Sequence, residues 1–333
     1  MMLADSYWQD LAEQKVSQKR QKRPCYIINA DGVVLNTLEV MMGQLYQAYM
    51  KIAMAPFMAS SPQSVDTYES IPKGVYALKR DFNASTRLTA QHYLWKDALR
   101  FNIHPDIPTD NSQIRIADVA TGNGIWLLDV AREISPSARL DGFDISLDQC
   151  PPSPWLPANT HLHTWDVYKE PPKQFQEMFD IVHVRLITVA IKNNDPRPVL
   201  ANLRKLLKPG GFLQWDEADS VDWAVKTIDS SVATDAVKRL FQQLCGSHDW
   251  KRYMVDILNE DGFEDVRLHK VKYDLTMARY WNDVYMSTWD EFAKMIVRKP
   301  EESLQLNREA MDQVRDGCAI SCPKLVWIAQ KAW

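Results

Sequence analysis

The chain has 333 residues, of which 46% are hydrophobic, and its 39 Lys and Arg against 43 Asp and Glu give a formal charge of −4. That balance has the wrong sign for a nucleic-acid surface, the apolar share is ample for a full core, and no run approaches the roughly 18 apolar residues of a transmembrane helix. Cys25, Cys150, Cys245, Cys318 and Cys322 are odd in number and scattered, and the N-terminus lacks the order of a secretory leader, so reduced thiols, a cytoplasmic location and no Cys-based metal site are expected.

The first thirty residues read as a polar helix or tail whose basic run, Lys15 to Arg23, suits a solvated face or a nuclear signal. An amphipathic stretch over Val33 to Met54, rich in Met and aromatics, reads as a helix that packs in a core, walls a hydrophobic substrate cavity or forms a homodimer face. Pro56, Pro62 and Pro72 mark a loop or lid containing Tyr68, and a helix follows over Ala84 to Phe101 with Asn83 as its N-cap.

From residue 113 the texture changes. Strands are predicted at Ile114–Ala120, Arg139–Ile145, Thr160–Trp165, Phe179–Leu186 and Phe212–Asp216, alternating with helices at Gly124–Ile134 and Arg197–Leu207. This alternation is the pattern of an α/β, doubly wound parallel sheet. Residues 230–261 read as helical, Phe263–Leu275 as a strand, 281–316 as helical and Lys324–Gln330 as a closing strand. Two domains are expected: an N-terminal helical extension and lid over 1–100, and a ligand-binding domain over 101–333 with a helical cap near 276–318. The twelve Trp suggest large flat apolar surfaces, and Gly, at 11, has about half its usual share.

The first strand runs into Asp118-Val-Ala120-Thr-Gly122-Asn123-Gly124, a tight turn that lets the backbone approach a nucleotide closely. Asp118 is placed to accept from a cationic amine. The second strand ends in Asp144 and Ile145, where an acid accepts from both ribose hydroxyls, and the third in Trp165-Asp166-Val167, where a carboxylate accepts from an adenine amine. A nicotinamide cofactor also uses such a ribose acid, but Leu127 stands where the third glycine of its fingerprint belongs. Three acids at successive carboxyl ends line one crevice of a parallel sheet.

Taken in order, these segments, with FDIVHVR at 179–185 and LKPGG at 207–211, resemble the class I S-adenosylmethionine-dependent methyltransferases. One departure is Ala120 in place of the first glycine. The stretch Tyr76 to His92 further resembles the fungal LaeA/UMTA-type methyltransferases of secondary metabolism. The resemblance implies a seven-stranded Rossmann-like sheet with an antiparallel last strand, S-adenosyl-L-methionine as cofactor, a clamp from Arg87, and lid contacts from Tyr76, Gln91 and His92. It implies transfer to an O, N or S atom of a small natural product; a non-methylating cyclase and a regulatory methyltransferase-like protein share the same motifs.

A base assists transfer when the acceptor carries a proton. His183 is the first candidate and Glu217 the second, while Arg185, two residues on from His183 along the same strand face, is expected to contact the cofactor. Trp215 is a candidate substrate contact because aromatic faces attract cations, and Tyr68 and His92 are the others.

Overall fold

The computed structural model of the chain describes Tyr26–Ile28, Val34–Asn36 and residues 78–333 except 246–247, 273 and 296–299, with backbone alone in the two short strands and at 244–245, 295 and 300. Two compact units are present, Met1–Asp66 and Thr67–Trp333. In the first, β1 (Tyr26–Ile28) pairs antiparallel with β2 (Val34–Asn36), Ile28 opposite Val34. The helix expected from Val33 therefore does not begin there. Asp31-Gly32 between two β-branched runs is a hairpin signal, and it prevails over the helical spacing that follows. The remainder of the expected 33–54 helix, the 55–72 loop, Tyr68 and Tyr76 lie outside the described residues.

In the second unit, helix α1 (Phe82–Leu99) leads to a seven-stranded sheet in the order β5-β4-β3-β6-β7-β11-β9. The members are β3 (Arg115–Val119), β4 (Arg139–Asp144), β5 (Thr160–Thr164), β6 (Phe179–Arg185), β7 (Leu207–Ala218), β9 (Phe263–Val271) and β11 (Lys324–Lys331). The pairs β5–β4, β4–β3, β3–β6 and β6–β7 are parallel, and β11 is antiparallel to both β7 and β9. The strand order turns about β3 and β6, so a crevice opens beyond their carboxyl ends. The α/β fold with an antiparallel closing strand is as expected.

One face is covered by α1, α2 (Ile125–Val130) and α6 (Ala278–Met295), with Trp95, Trp126, Trp281, Ile116, Ile181 and Val326 in its core. The other face packs α3 (Arg197–Leu206) and α5 (Met254–Glu260) over Phe143, Val184, Leu203, Trp215 and Trp327. A third cluster joins α4 (Asp235–Cys245), α6 and α7 (Pro300–Arg315) to a two-stranded sheet of β8 (Ala224–Thr227) and β10 (Cys318–Ser321). Eight tryptophans are buried in these clusters, so the Trp excess goes into the core and not into exposed flat surfaces.

Local differences have local causes. Asp81 caps α1, its Oδ1 accepting from Ala84 N at 3.0 Å, so the helix starts earlier than Asn83 would set it. The helical stretch at 281–316 is two helices, the second opened by Pro300, a residue suited to a first helical turn. Strand β4 lies tight against its neighbours at Gly142, where an added Cβ would meet Leu162 Cδ2 at 2.7 Å and Leu127 Cδ2 at 3.1 Å. Gly142→Ala is expected to lower stability by ~1–3 kcal/mol through overpacking, read from the denaturant midpoint at unchanged slope.

Candidate active site

Strand β3 delivers the chain into a loop whose backbone is left-handed at Ala120 (φ 57°), Gly122 (φ 62°) and Gly124 (φ 77°). Ala120 holds this conformation at a cost of roughly 1 kcal/mol that a glycine would not incur. A Cβ on Gly124 would meet only Cys150 Sγ, at 3.9 Å, so the loop is open on that side. The loop is tied on three sides. Gly122 N donates to Asp144 Oδ2 at 2.9 Å, Thr121 Oγ1 donates to Asp118 Oδ2 at 2.6 Å, and Asn123 Nδ2 donates to Ser85 O and Thr89 Oγ1 of α1.

Asp144 sits at the end of β4. Burial raises its carboxyl pKa, opposed by the N–H groups of Gly122 and Ser146 and by the charge of Arg80. Next to it Ile145 is 55% exposed, a large apolar side chain presented beside an acid at a sheet's carboxyl end. One strand further, Asp166 Oδ1 accepts from Tyr168 N at 3.0 Å, and Asn202 Nδ2 donates to Val167 O at 2.9 Å. Gly122, Asn123, Gly124, Asp144, Ile145, Asp166 and Val167 are thus gathered at the carboxyl ends of adjacent strands. The open backbone at Gly124, the ribose-type acid and the exposed apolar neighbour fit an adenosyl group. Asp118 does not join them as a direct contact, because it is buried and its two oxygens are engaged by Thr121 and His183.

Beneath the loop lies a buried polar layer. His183, 1% exposed, donates from Nδ1 to Asp118 Oδ1 at 2.7 Å and from Nε2 to Asp216 Oδ2 at 3.3 Å, and stacks on Trp126 at 3.7 Å and 7°. Burial opposes its charge, but the bonds to the two carboxylates outweigh it and raise the imidazole pKa. Arg185 Nη2 donates to His92 Nδ1 at 3.1 Å, which leaves the proton of a neutral His92 on Nε2, where it is given to Asp129 Oδ2 at 3.1 Å. Burial and the neighbouring guanidinium lower the pKa of His92 to about 4. Burial pushes Asp129 up, yet hydrogen bonds from Lys96, Asn102 and His92 together hold it at about 2.

Several expected roles are corrected by this arrangement. His183 has both ring nitrogens committed to carboxylates, so it is a strut and not a free base. Glu217 points to the opposite face of β7, fully buried, accepting from Thr188 Oγ1 at 2.6 Å, Thr188 N at 3.1 Å and Trp215 Nε1 at 3.3 Å, with Lys251 Nζ 3.6 Å away. Trp215 and His92 are wholly buried and reach no substrate surface. Arg87 is clamped by Glu291, Nε at 2.9 Å and Nη2 at 3.2 Å, and its guanidinium joins α1 to α6. These two helices flank a cleft of about 750 Å³ lined by Arg87, Tyr93, Leu94, Tyr280, Asp283 and Glu291. Reading by motif missed Ser85 and Thr89, which hold Asn123. The helical spacing of Ser85 and Thr89, one turn apart, was the available signal.

Two measurements test this network. Glu291→Ala should destabilise the protein by ~3–5 kcal/mol, because it strands a buried guanidinium, whereas Glu291→Gln should recover part of that loss. A neutral His92 in the folded state and a protonated one in the unfolded state mean that its stabilisation is complete above pH 6.5 and is lost as pH falls toward 4. His92→Gln, which can accept from Arg185 and donate to Asp129 without titrating, should flatten the fall of the urea midpoint across that window.

The sequence matches the family described as Methyltransferase domain over residues 88–268. Among curated relatives, methyltransferase grgD of a Penicillium species is 35% identical over 164 residues, 47% of this chain and 56% of that protein. N-methyltransferase verN of Clonostachys rogersoniana is 33% identical over 142 residues, 43% of this chain and 50% of that protein. N-methyltransferase gliN of Aspergillus fumigatus is 32% identical over 143 residues, with 43% and 50% covered. The chain spans about half the length of the curated relatives it matches. Among solved structures, phosphoethanolamine N-methyltransferase 2 of Haemonchus contortus aligns with a TM-score of 0.45 at 16% identity, covering 79% of this chain and 62% of that one. The family match spans more than half of the residues and takes in the glycine loop, Asp144, Asp166 and the strut at His183: the chain belongs to the methyltransferase-domain family.

Proposed function

We propose that the chain binds S-adenosyl-L-methionine and transfers its methyl group to nitrogen on a small secondary metabolite. The observation that carries the reading is Asp144, which braces the Gly122 amide at 2.9 Å while the exposed Ile145 stands beside it at the mouth of the crevice. The cofactor, when bound, supplies an already activated methyl group. Asp144 would accept from the ribose hydroxyls, Asp166 from the adenine amine, and Ile145, Val167 and the backbone of Gly122 to Gly124 would hold the rest of the group. Tyr76 is retained as a lid contact from the family resemblance.

Nitrogen is favoured over oxygen by two things. The relatives verN and gliN carry the name N-methyltransferase. Both acid–base candidates are also committed: His183 to two carboxylates, and Glu217 to Thr188, Trp215 and Lys251. A neutral amine brings its own lone pair and needs orientation and exclusion of water more than a base. Among the described residues no helix is long and apolar enough to cross a membrane.

The test is calorimetry of the full chain with S-adenosylmethionine, S-adenosylhomocysteine and NAD, repeated on Asp144→Ala. Binding of both adenosyl ligands and not of NAD is expected, with affinity reduced about 100-fold in the variant as charge-assisted bonds to the ribose are lost. Binding of NAD alone, or of no ligand, would overturn the reading. Adenosyl binding without methyl turnover on any amine acceptor would favour the cyclase or regulatory alternative.

A further inference from the structure

Arg185 closes β6, one of the two strands about which the strand order turns, and is half-buried there. Its guanidinium commits one donor, Nη2, to His92 Nδ1 at 3.1 Å and faces the Trp95 ring at 5.8 Å. Among the described residues it has no other hydrogen-bond partner and forms no ion pair. The carboxylates that act on its charge are Asp216, Asp118 and Asp129. Each is held by another group: Asp216 and Asp118 by His183, and Asp129 by Lys96, Asn102 and His92. An indole face attracts a guanidinium but leaves its in-plane N–H groups unused, and a neutral imidazole meets only one of them. A charge taken out of water is costly unless paired, so donors left open at this strand end mark the place of an anion.

The order of groups along the crevice points to which anion. Strands β5, β4, β3 and β6 are neighbours in the sheet, and their carboxyl ends carry in turn Asp166, Asp144, the glycine loop and Arg185. Three strand spacings of about 4.8 Å each make this row roughly 14 Å long, the scale of an adenosyl group with an extended amino-acid tail. On the adenosyl reading proposed above, on which this inference rests, adenine and ribose take the first two places and the glycine loop follows. The tail with its carboxylate comes next, at β6. Arg87, the clamp that the family resemblance implied, is closed on Glu291, and Asp118 is buried beneath the loop. Arg185 is the open cation where the tail ends.

We propose that Arg185 receives the α-carboxylate of the methyl donor and makes that carboxylate a condition of tight binding. A guanidinium fork matches a carboxylate with paired N–H···O bonds, a geometry that a lysine does not reproduce. His92 is a positioning residue in this arrangement: its Nδ1 holds Nη2 of Arg185 and its Nε2 is fixed by Asp129, so the fork is oriented before a ligand arrives. With the ribose held at Asp144 and the carboxylate at Arg185, the donor is tied on both sides of its sulfur, which limits where its methyl group can point. An adenosyl compound that keeps the amine but lacks the carboxylate leaves the guanidinium unpaired and brings a like charge toward it, so such compounds are rejected.

The test titrates the full chain in a calorimeter with S-adenosylmethionine, decarboxylated S-adenosylmethionine and 5′-methylthioadenosine, beside Arg185→Met and Arg185→Lys. The unsubstituted chain is expected to bind S-adenosylmethionine at least about tenfold more tightly than the decarboxylated form. Arg185→Met should erase that preference by weakening S-adenosylmethionine alone, and Arg185→Lys should keep only part of it. 5′-Methylthioadenosine has neither amine nor carboxylate, so it reports the nucleoside site by itself, and its affinity should be unchanged in both variants. If Arg185→Met does not fold, Arg185→Lys carries the test through the ratio of the two donors. Three outcomes would overturn the proposal while 5′-methylthioadenosine binding leaves the adenosyl reading standing: no preference in the unsubstituted chain, a preference undiminished in the variant, or an equal loss of all three ligands there. Failure of all three to bind the unsubstituted chain would overturn that reading as well.

Discussion

The central constraint is an imidazolium held between two carboxylates. His183 of β6 bridges Asp118 of β3 and Asp216 of β7, joining three neighbouring strands through their side chains as well as their backbones. Charges so deeply buried are tolerable only when paired, and breaking such a set from one side costs far more than it gains when intact. The hydrogen bonds to the two carboxylates raise the pKa of His183, and Trp126 stacked on its ring shields the set from water. Because Asp118 also accepts from Thr121, the same bridge fixes the start of the glycine loop. The loop's left-handed turns are therefore set from below before any ligand arrives.

The second polar chain, Arg185 to His92 to Asp129, does for α1 what the first does for the loop. It runs from β6 to α1 to α2, and Asp129 is also bonded by Lys96 and Asn102. With Asn123 tied to Ser85 and Thr89 and Arg87 tied to Glu291, α1 is locked on one side to the loop and on the other to α6. A cofactor site built this way is preorganised by rigid elements, which is what a transfer limited by orientation requires.

What was legible in the sequence follows the range of the interactions involved. The strand–turn–helix over 115–130 depends on neighbours a few residues apart, so the glycine loop, Asp144 and Asp166 could be read from order and spacing alone. The partners of single charged residues could not. Arg87 and Glu291 are 204 residues apart, and no local rule distinguishes an arginine waiting for a ligand from one already paired. His183 failed as a base for the same reason: its titration range suggested one, while Asp118 and Asp216 come to it from other strands. At the N-terminus the error ran the other way, since Asp31-Gly32 was a local turn signal outweighed in the reading by a longer amphipathic pattern.

The fate of the two base candidates bears on how a methyltransferase-domain chain divides its labour. A histidine and a glutamate near strand ends are the residues a hydrolytic enzyme would aim at its substrate, yet here both are turned inward on opposite faces of the sheet. His183 is spent on holding β3, β6 and β7 together, and Glu217 on anchoring Thr188 after β6 and on partnering Lys251. The chemistry proposed for this site asks little proton transfer of the protein, so titratable side chains near the crevice are free to serve as braces. The requirement that remains is geometric, and it is met by the same buried charges that a reading for catalysis would first select.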